Sequence, residues 1–498
     1  MSLDRPSLTR ERWTRISDAS GLSRIAGSYT AAFVAVMALA ALAVLLTFDD
    51  YGVTWDEHVQ NEYGKMVLNY YVSGFGDKSA LTYFDLWAYG GLFDLVAAIC
   101  NKISPLGEYE TRHLLNALVG LAGVVGCWKL ARALAGERVA FWSALLLLVM
   151  PTWYGHMFNN PKDVPFAVFF VWSLYYIVRI ASCLPRPPLS LVARLGLMIG
   201  LSLGVRVGGL LLFGYICLVG LGFVAARYWQ TRNLAQLGRD TWVGSYRVIL
   251  PVFAIAYPVM LLFWPWAQAA PFSNPVAALM RFQHLPFNIP VKFFGGYFVS
   301  TDPPWYYLPV ELLFRLPEIV LPLAALTCVF AFLALKRRRD ELPLGKALEY
   351  GALAVAIVFP LVYVVVAHVN LFDGMRHFTF LLPPIAVAGG IGMDRLLDVA
   401  ARQKLNGVAY LLIVAFLAYH ASIMVRLHPD QYVYYNRYAG GLKSAAKRFE
   451  LDYWANSFAE AVDALEDELR EQYGPDFENH RFKIKVCDSP FSASYYFP

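Results

Sequence analysis

Charge is scarce in this chain. Only 16% of its 498 residues are Asp, Glu, Lys or Arg, against about a quarter in a soluble domain, while 58% are hydrophobic and 15% aromatic. That scarcity excludes an ordinary soluble protein, and a net charge of only +5 argues against nucleic acid as a partner. Cysteine is sparse too. Cys100, Cys127, Cys183, Cys217, Cys328 and Cys487 form no C-x-x-C pair or other metal-ligand spacing, so they read as small packing residues and carry no redox inference. No D-x-D triplet occurs in the stretch after the first apolar run, so a divalent ion is compatible with the sequence but not required by it, and any cofactor stays unknown. No internal repeat is visible, which weighs against a secondary transporter built from two related halves.

What the chain has is apolar runs. They recur near 25–48, 113–134, 138–152, 163–183, 190–205, 206–226, 248–267, 308–335, 348–369, 377–397 and 405–425, which predicts an all-α polytopic membrane protein with about 11 transmembrane helices. Arg5, Arg10, Arg12, Arg15 and Arg24 precede the first run as in a signal peptide. Roughly 20 apolar residues span a bilayer, however, and a signal core has about 7 to 15, so a retained helix is expected.

The basic residues give an orientation. With the N-terminus cytoplasmic, the inside segments hold 23 Lys and Arg and the outside loops before the tail hold nine: Lys65, Lys78, Lys102, Arg112, Lys162, Arg206, Arg281, Lys292 and Arg376. An odd helix count then exports the C-terminus. The domain expectation is a membrane domain over 1–426, with its first exported loop at 49–112, and a short periplasmic α+β tail over 427–498. In that tail Phe458, Ala461, Val462, Leu465 and Leu469 recur at helical spacing and "RFKIKV" reads as a strand. The first loop contains "NEYGKMVLNYYV", whose Tyr63, Met66, Val67, Tyr70 and Tyr71 share one helical face and predict an interfacial helix. The loop over 268–304, rich in Pro and aromatics, has a similar composition.

Under this topology the polar residues of interest share the outer face. They are Asp56 and Glu57 in "TWDE", Lys162 and Asp163 in "NNPKDVP", Arg206, and Arg376 with His377 in "NLFDGMRHF". Each also has a plain structural reading. Thr54 and Glu57 fit a capping box, with Asp56 favoured by the helix dipole. Asp163 suits a first helical turn before Pro165. Arg206 and Arg376 are costly at a membrane border unless they meet an anion or snorkel to the interface. Arg315 has a partner one turn earlier in Glu311. Carboxylates with guanidinium and ammonium groups beside a lipid-facing, aromatic groove suit transfer of a group from a lipid phosphate. The cations hold the phosphate and a carboxylate takes the proton of an attacking hydroxyl.

The order of "TWDE" after a first helix, then "NNPKDVP", "PPWYYLP" and "RHFTFLLPP", resembles bacterial glycosyltransferases of family 39 type in the GT-C superfamily. Relatives of that group are the protein O-mannosyltransferases and the lipid A aminoarabinose transferase. The tail "HPDQYVYYNRYAGGLKSAAKRFELDYW" is similar to the segment after the last helix in one bacterial branch. The resemblance runs from about Phe48 to Trp454. It implies a GT-C-like fold in the bacterial inner membrane and inverting transfer of a sugar from a polyprenyl-phosphate donor to a hydroxyl of a lipid, glycan or protein acceptor at the periplasmic face. Asp56 matches the first-loop catalytic acid, with Glu57 and Asp163 as further catalytic candidates. Lys162, Arg206, Arg376 and His377 fall where basic residues meet the donor phosphate. An enzyme using a polyprenyl pyrophosphate donor and a polytopic transporter are the competing expectations.

Overall fold

A computed structural model describes residues 19–283, 288–337, 343–486 and 490–497. Arg5, Arg10, Arg12, Arg15, Arg338, Arg339 and Cys487, used in the charge and cysteine arguments, lie outside them. All eleven apolar runs are helical. The helices are α1 (Ala19–Thr47), α2 (Trp55–Val72), α3 (Leu92–Asn101), α4 (Glu108–Ala135), α5 (Glu137–Leu148), α6 (Pro151–Asn159), α7 (Asp163–Ala181), α8 (Leu189–Leu203) and α9 (Leu210–Thr231). They continue with α10 (Leu234–Leu262), α11 (Ser273–Gln283), α12 (Tyr307–Arg315), α13 (Val320–Arg337), α14 (Leu344–Val366), α15 (Arg376–Arg402), α16 (Asn406–Arg426), α17 (Gly441–Arg448), α18 (Phe458–Tyr473) and α19 (Pro490–Ser494).

Among the described residues, eight helices are long and apolar enough to cross a membrane, and up to ten if each of two bent pairs is one span. The expected eleven becomes fewer for specific reasons. The run at 190–205 is the 15-residue α8, short for a crossing. The runs at 138–152 and 308–335 are not single rods. Pro151 starts α6 at a 66° bend after α5, and α12 turns by 110° into α13 across a break that holds Pro317. The first of these bends turns the chain from α5 into α6, which runs into "NNPKDVP" and so delivers a polar turn to one end of the bundle.

Glycine rows set how tightly the central helices meet, because membrane packing rests on close backbone approach. A Cβ on Gly390 of α15 would lie 2.1 Å from Ser143 Oγ on α5, and one on Gly392 would lie 2.0 Å from the Leu323 carbonyl on α13. By contrast few residues are buried over Ser28–Thr47 of α1 and over α16, which places both at the periphery.

The loops depart from expectation in two places. The apolar face of α2 turns into the protein: Tyr63 and Val67 pack with Ala80, Leu86 and Leu95, and Met66 and Tyr71 flank them. Val72, Phe75, Phe84 and Ile103 are among the apolar residues that this loop exposes instead. In the tail α18 forms as expected, but "RFKIKV" (481–486) forms no strand. The sheet lies in the 268–304 loop, where β1 (Pro290–Phe293) and β2 (Gly296–Val299) pair antiparallel. Phe294 (φ 51°) and Gly295 (φ 81°) form the two-residue turn that matches hairpin twist.

The segment after α16 is not a loose appendage. Tyr432, Tyr435, Phe449 and Trp454 are buried, and the fully buried Arg315 binds it through the Tyr432 carbonyl (3.1 Å), Tyr435 Oη (2.9 Å) and the Glu450 carbonyl (3.0 Å). Arg315 also pairs with Glu311 at 2.7 Å, the partner its spacing suggested. Because α16 is the one described span between them, topology reporters fused after Lys404 and after Glu460 are expected to read opposite sides of the membrane. The same side for both would break the shared-face argument.

Candidate active site

The bundle end formed by the first loop, the "NNPKDVP" turn and the segment after α16 encloses a cavity of about 1270 Å³. Its polar wall carries Asp56, Lys162, Asp163, Arg206, Asp373 and Arg376, with His377 beside them. The ion-paired Asp56 and Arg376 among them are 320 apart in sequence. The other limb is apolar, made by Leu211, Tyr215 and Leu218 on α9 facing Phe359, Tyr363 and Val364 on α14. Leu218, Phe359 and Tyr363 are also exposed on the outside of the bundle, so this limb opens toward lipid.

Asp56 is placed by the start of α2. Thr54 is the cap residue in extended conformation, and its backbone N–H donates to Glu57 Oε2 at 2.9 Å, as a capping box requires. The same carboxylate takes the Thr54 hydroxyl (3.1 Å) and pairs with His113 Nε2 at 3.1 Å. Glu57 is fully buried in these contacts and does not line the cavity, whereas Asp56, next in the turn, does. The Trp55 N–H donates to the Trp454 carbonyl at 3.3 Å, which fixes this first turn against the segment after α16.

Opposite stands Arg376. Its Nη1 contacts Asp56 Oδ2 at 2.9 Å and its Nη2 contacts Asp373 Oδ2 at 2.7 Å, while the Trp454 ring lies 4.8 Å from its guanidinium carbon. Asp373 sits at φ 56° and Gly374 at φ 63°, a left-handed turn that Asp tolerates better than most residues. Arg206 Nη2 contacts Asp163 Oδ1 at 2.8 Å, and Asn160 Nδ2 holds the other oxygen of Asp163 at 3.0 Å. Both arginines therefore already have carboxylate partners. Lys162 differs: among the described residues no carboxylate lies within ion-pair distance of its Nζ, which rests 4.6 Å from the Tyr89 ring centre.

The two aspartates on Arg376 titrate in opposite directions. Burial pushes Asp56 up, but Arg376, Lys162 and Arg206 together outweigh it and hold its carboxyl below the usual range. Burial raises Asp373 to about 6, because Arg376 is offset there by the nearby Asp56 and Asp163 charges. Burial also lowers Lys162, only partly countered by Asp56. Asp56 is thus ionised across neutral pH, while Asp373 gives up its proton nearer neutrality than an ordinary carboxyl does.

Asp56, Lys162, Asp163, Arg206, Arg376 and His377 converge on one cavity, and Glu57 stands behind its wall. Sequence reading missed Asp373 and the wall of Glu450, Asp452, Tyr453 and Trp454. The Asp-Gly pair inside "NLFDGMRHF" was the available signal for the first, since Asp-Gly marks a left-handed turn. No group of three or more His, Cys, Asp or Glu positioned to hold a metal occurs among the described residues.

Comparison with known proteins bears on the sequence of one segment and on the fold. Residues 92–257 match a family model described as dolichyl-phosphate-mannose-protein mannosyltransferase. By sequence, no curated protein matches the chain. Among solved structures, ArnT from Cupriavidus metallidurans bound to undecaprenyl phosphate is similar, with a TM-score of 0.52 at 17% identity, covering 91% of this chain and 73% of that one. The archaeal oligosaccharyltransferase AglB from Archaeoglobus fulgidus, in complex with an inhibitory peptide and a dolichol-phosphate, gives a TM-score of 0.50 at 15% identity, covering 90% of this chain and 58% of that one. The resemblance drawn from the motifs is borne out, in fold across nine-tenths of the chain and in sequence over 92–257.

The Arg376 pairs give a signed prediction. Arg376→Gln leaves two adjacent carboxylates without their cation, which raises both pKa values above the unfolded ones. The folded state then holds protons that the unfolded state releases, so the added instability grows as pH rises. Thermal unfolding of the variant is expected to fall further behind the wild type at pH 8 than at pH 5. A gap that does not change with pH would show that the pairs do not carry the charge balance.

Proposed function

From the fold of a GT-C superfamily membrane protein, we propose that this chain is a glycosyltransferase that moves a sugar from a polyprenyl-phosphate donor to a hydroxyl acceptor. The observation that carries the reading is the single cavity in which a cluster of carboxylates and cations ends an apolar, lipid-open cleft between α9 and α14. A polyprenyl chain suits the cleft, and its phosphate suits the cationic end.

In this reading the acceptor oxygen attacks the anomeric carbon from the side opposite the phosphate. The bond from that carbon to the phosphate oxygen breaks, and the lipid phosphate leaves with the electron pair. Backside attack inverts the anomeric centre. Asp56 takes the proton from the acceptor hydroxyl, a role its lowered pKa suits because it stays ionised at neutral pH. Lys162, the cation without a carboxylate partner among the described residues, compensates the charge on the departing phosphate. Arg376 and Arg206 hold Asp56 and Asp163 in place and add positive potential. Glu57 supports Asp56 by capping the helix that carries it.

The pairing of both arginines bears on the alternatives. A pyrophosphate leaving group carries more charge than one free ammonium offsets, so the cluster favours a monophosphate donor. The lack of a repeat still weighs against alternating access. We place the reaction at the periplasmic face of a bacterial inner membrane, with the N-terminus cytoplasmic and the C-terminus periplasmic, supported by the distribution of basic residues. A lipid, glycan or protein acceptor fits the outward mouth.

Mass spectrometry of envelope lipids and glycans from a deletion strain is expected to show one missing sugar, restored by the wild-type gene. Asp56→Asn keeps shape and suits a helix start, so expression should match wild type while transfer falls by about 10² to 10⁴. Lys162→Met should weaken use of the donor without destabilising the chain, because it removes no ion pair. Full restoration of the sugar by Asp56→Asn would move the base to Asp163 or Asp373.

A further inference from the structure

A second cavity, of about 200 Å³, lies away from the candidate active site, where α16 ends. Tyr419, Ile423, Arg426 and Leu427 form one side, and Tyr434 and Arg437 face them. Arg437 is held in place rather than loose: its guanidinium carbon is 4.5 Å from the Tyr419 ring, its Nε donates to Tyr419 Oη at 2.8 Å, and its backbone N–H donates to Glu318 Oε1 at 2.9 Å. Neither Nη1 nor Nη2 of Arg437 has a hydrogen bond or ion pair among the described residues, and exposed Arg426 has none either. Glu318, the acid of this neighbourhood, is itself engaged by His420 at 3.2 Å.

Position adds a second argument. The 21 residues of α16 rise about 1.5 Å each, roughly the thickness of a bilayer core, so Arg426 comes out at headgroup level. The flank of α16 is bare: Leu411, Leu412, Val414 and Val425 are all exposed, a surface suited to acyl chains. From Arg426 to Arg448 the sequence has five Lys or Arg, namely Arg426, Arg437, Lys443, Lys447 and Arg448, against the one acid Asp430. Such a cluster stands on the same membrane face as the active-site mouth, where the other loops are poor in basic residues. Snorkelling at the helix end accounts for Arg426 alone, and leaves the stacked Arg437 unexplained.

We infer that this cavity binds the phosphate of an anionic phospholipid of the surrounding leaflet, with the acyl chains along α16 and the phosphate between Arg426 and Arg437. The guanidinium fork matches a phosphodiester, and the Tyr419 stack holds that of Arg437 ready. This assignment does not rest on the sugar-transfer reading. Purified full-length protein in detergent, offered phosphatidylglycerol or phosphatidylcholine, is measured by native mass spectrometry. One phosphatidylglycerol should be retained under collisional activation that strips phosphatidylcholine, and its occupancy should fall with salt. Arg426→Gln with Arg437→Gln should reduce that occupancy roughly tenfold or more. Arg437→Lys, which keeps charge and fold, should reduce it by a smaller factor. Equal retention of both lipids, or wild-type retention by the double variant, would overturn the site. Displacement of phosphatidylglycerol by millimolar inorganic phosphate would overturn the lipid assignment in favour of a free-phosphate site.

Discussion

Arg376 between Asp56 and Asp373 is the constraint on which the candidate site depends. The contact with Asp56, at 2.9 Å, joins the first loop to the start of α15, that with Asp373, at 2.7 Å, fixes the turn before α15, and the Trp454 ring beside them brings in the segment after α16. A guanidinium buried at a membrane border is costly alone, and removing one partner of such a group leaves an uncompensated charge. Three distant pieces of chain are therefore held in one arrangement by a single residue. The apolar limb needs no such device, since α9 and α14 carry it as ordinary bundle helices.

The division of labour among the cations follows from that arrangement. Arg376 and Arg206 are occupied by aspartates, so their charge is local and structural as well as electrostatic. Lys162 remains the ammonium without a carboxylate partner among the described residues, placed between the aspartate cluster and the Tyr89 ring. Within the cluster around Arg376 and Arg206, Asp56, Asp163 and Asp373 match Lys162, Arg206 and Arg376 in number, while Glu450 and Asp452 line the cavity farther along its wall. The phosphate of an arriving phosphodiester donor is then met by rearranging existing pairs together with Lys162 instead of by importing charge. Asp56 keeps its ionised form through the same field that steadies Arg376.

Much of this was legible in the sequence because it depends on local pattern. Apolar runs predicted the long helices of the bundle though not the short α3 and α6, and the spacing of Phe458, Val462 and Leu469 predicted α18. "TWDE" announced its cap, which the Thr54 to Glu57 bond realises. What was not legible is what depends on encounter. Glu57 is drawn behind the cavity wall by His113, 56 residues away, and nothing in "TWDE" specifies that partner. That Arg206 and Arg376 meet aspartates instead of standing open to a phosphate follows from helix packing. The same holds for the wall at Glu450 to Trp454, which Arg315 pins through backbone carbonyls that no sequence motif marks. The bends at Pro151 and Pro317 were visible as prolines, but their angles are set by the helices they pack on.

The central claim is that the apolar cleft and the charged wall form one site for a lipid phosphate. It is tested most directly by an experimental structure of the full chain with undecaprenyl phosphate. The account predicts the isoprenoid chain between α9 and α14, with a phosphate oxygen about 3 Å from Lys162 Nζ and Asp56 facing the open side of the phosphate. A lipid bound outside this cleft, or a phosphate held away from Lys162 with the cavity empty, would contradict it.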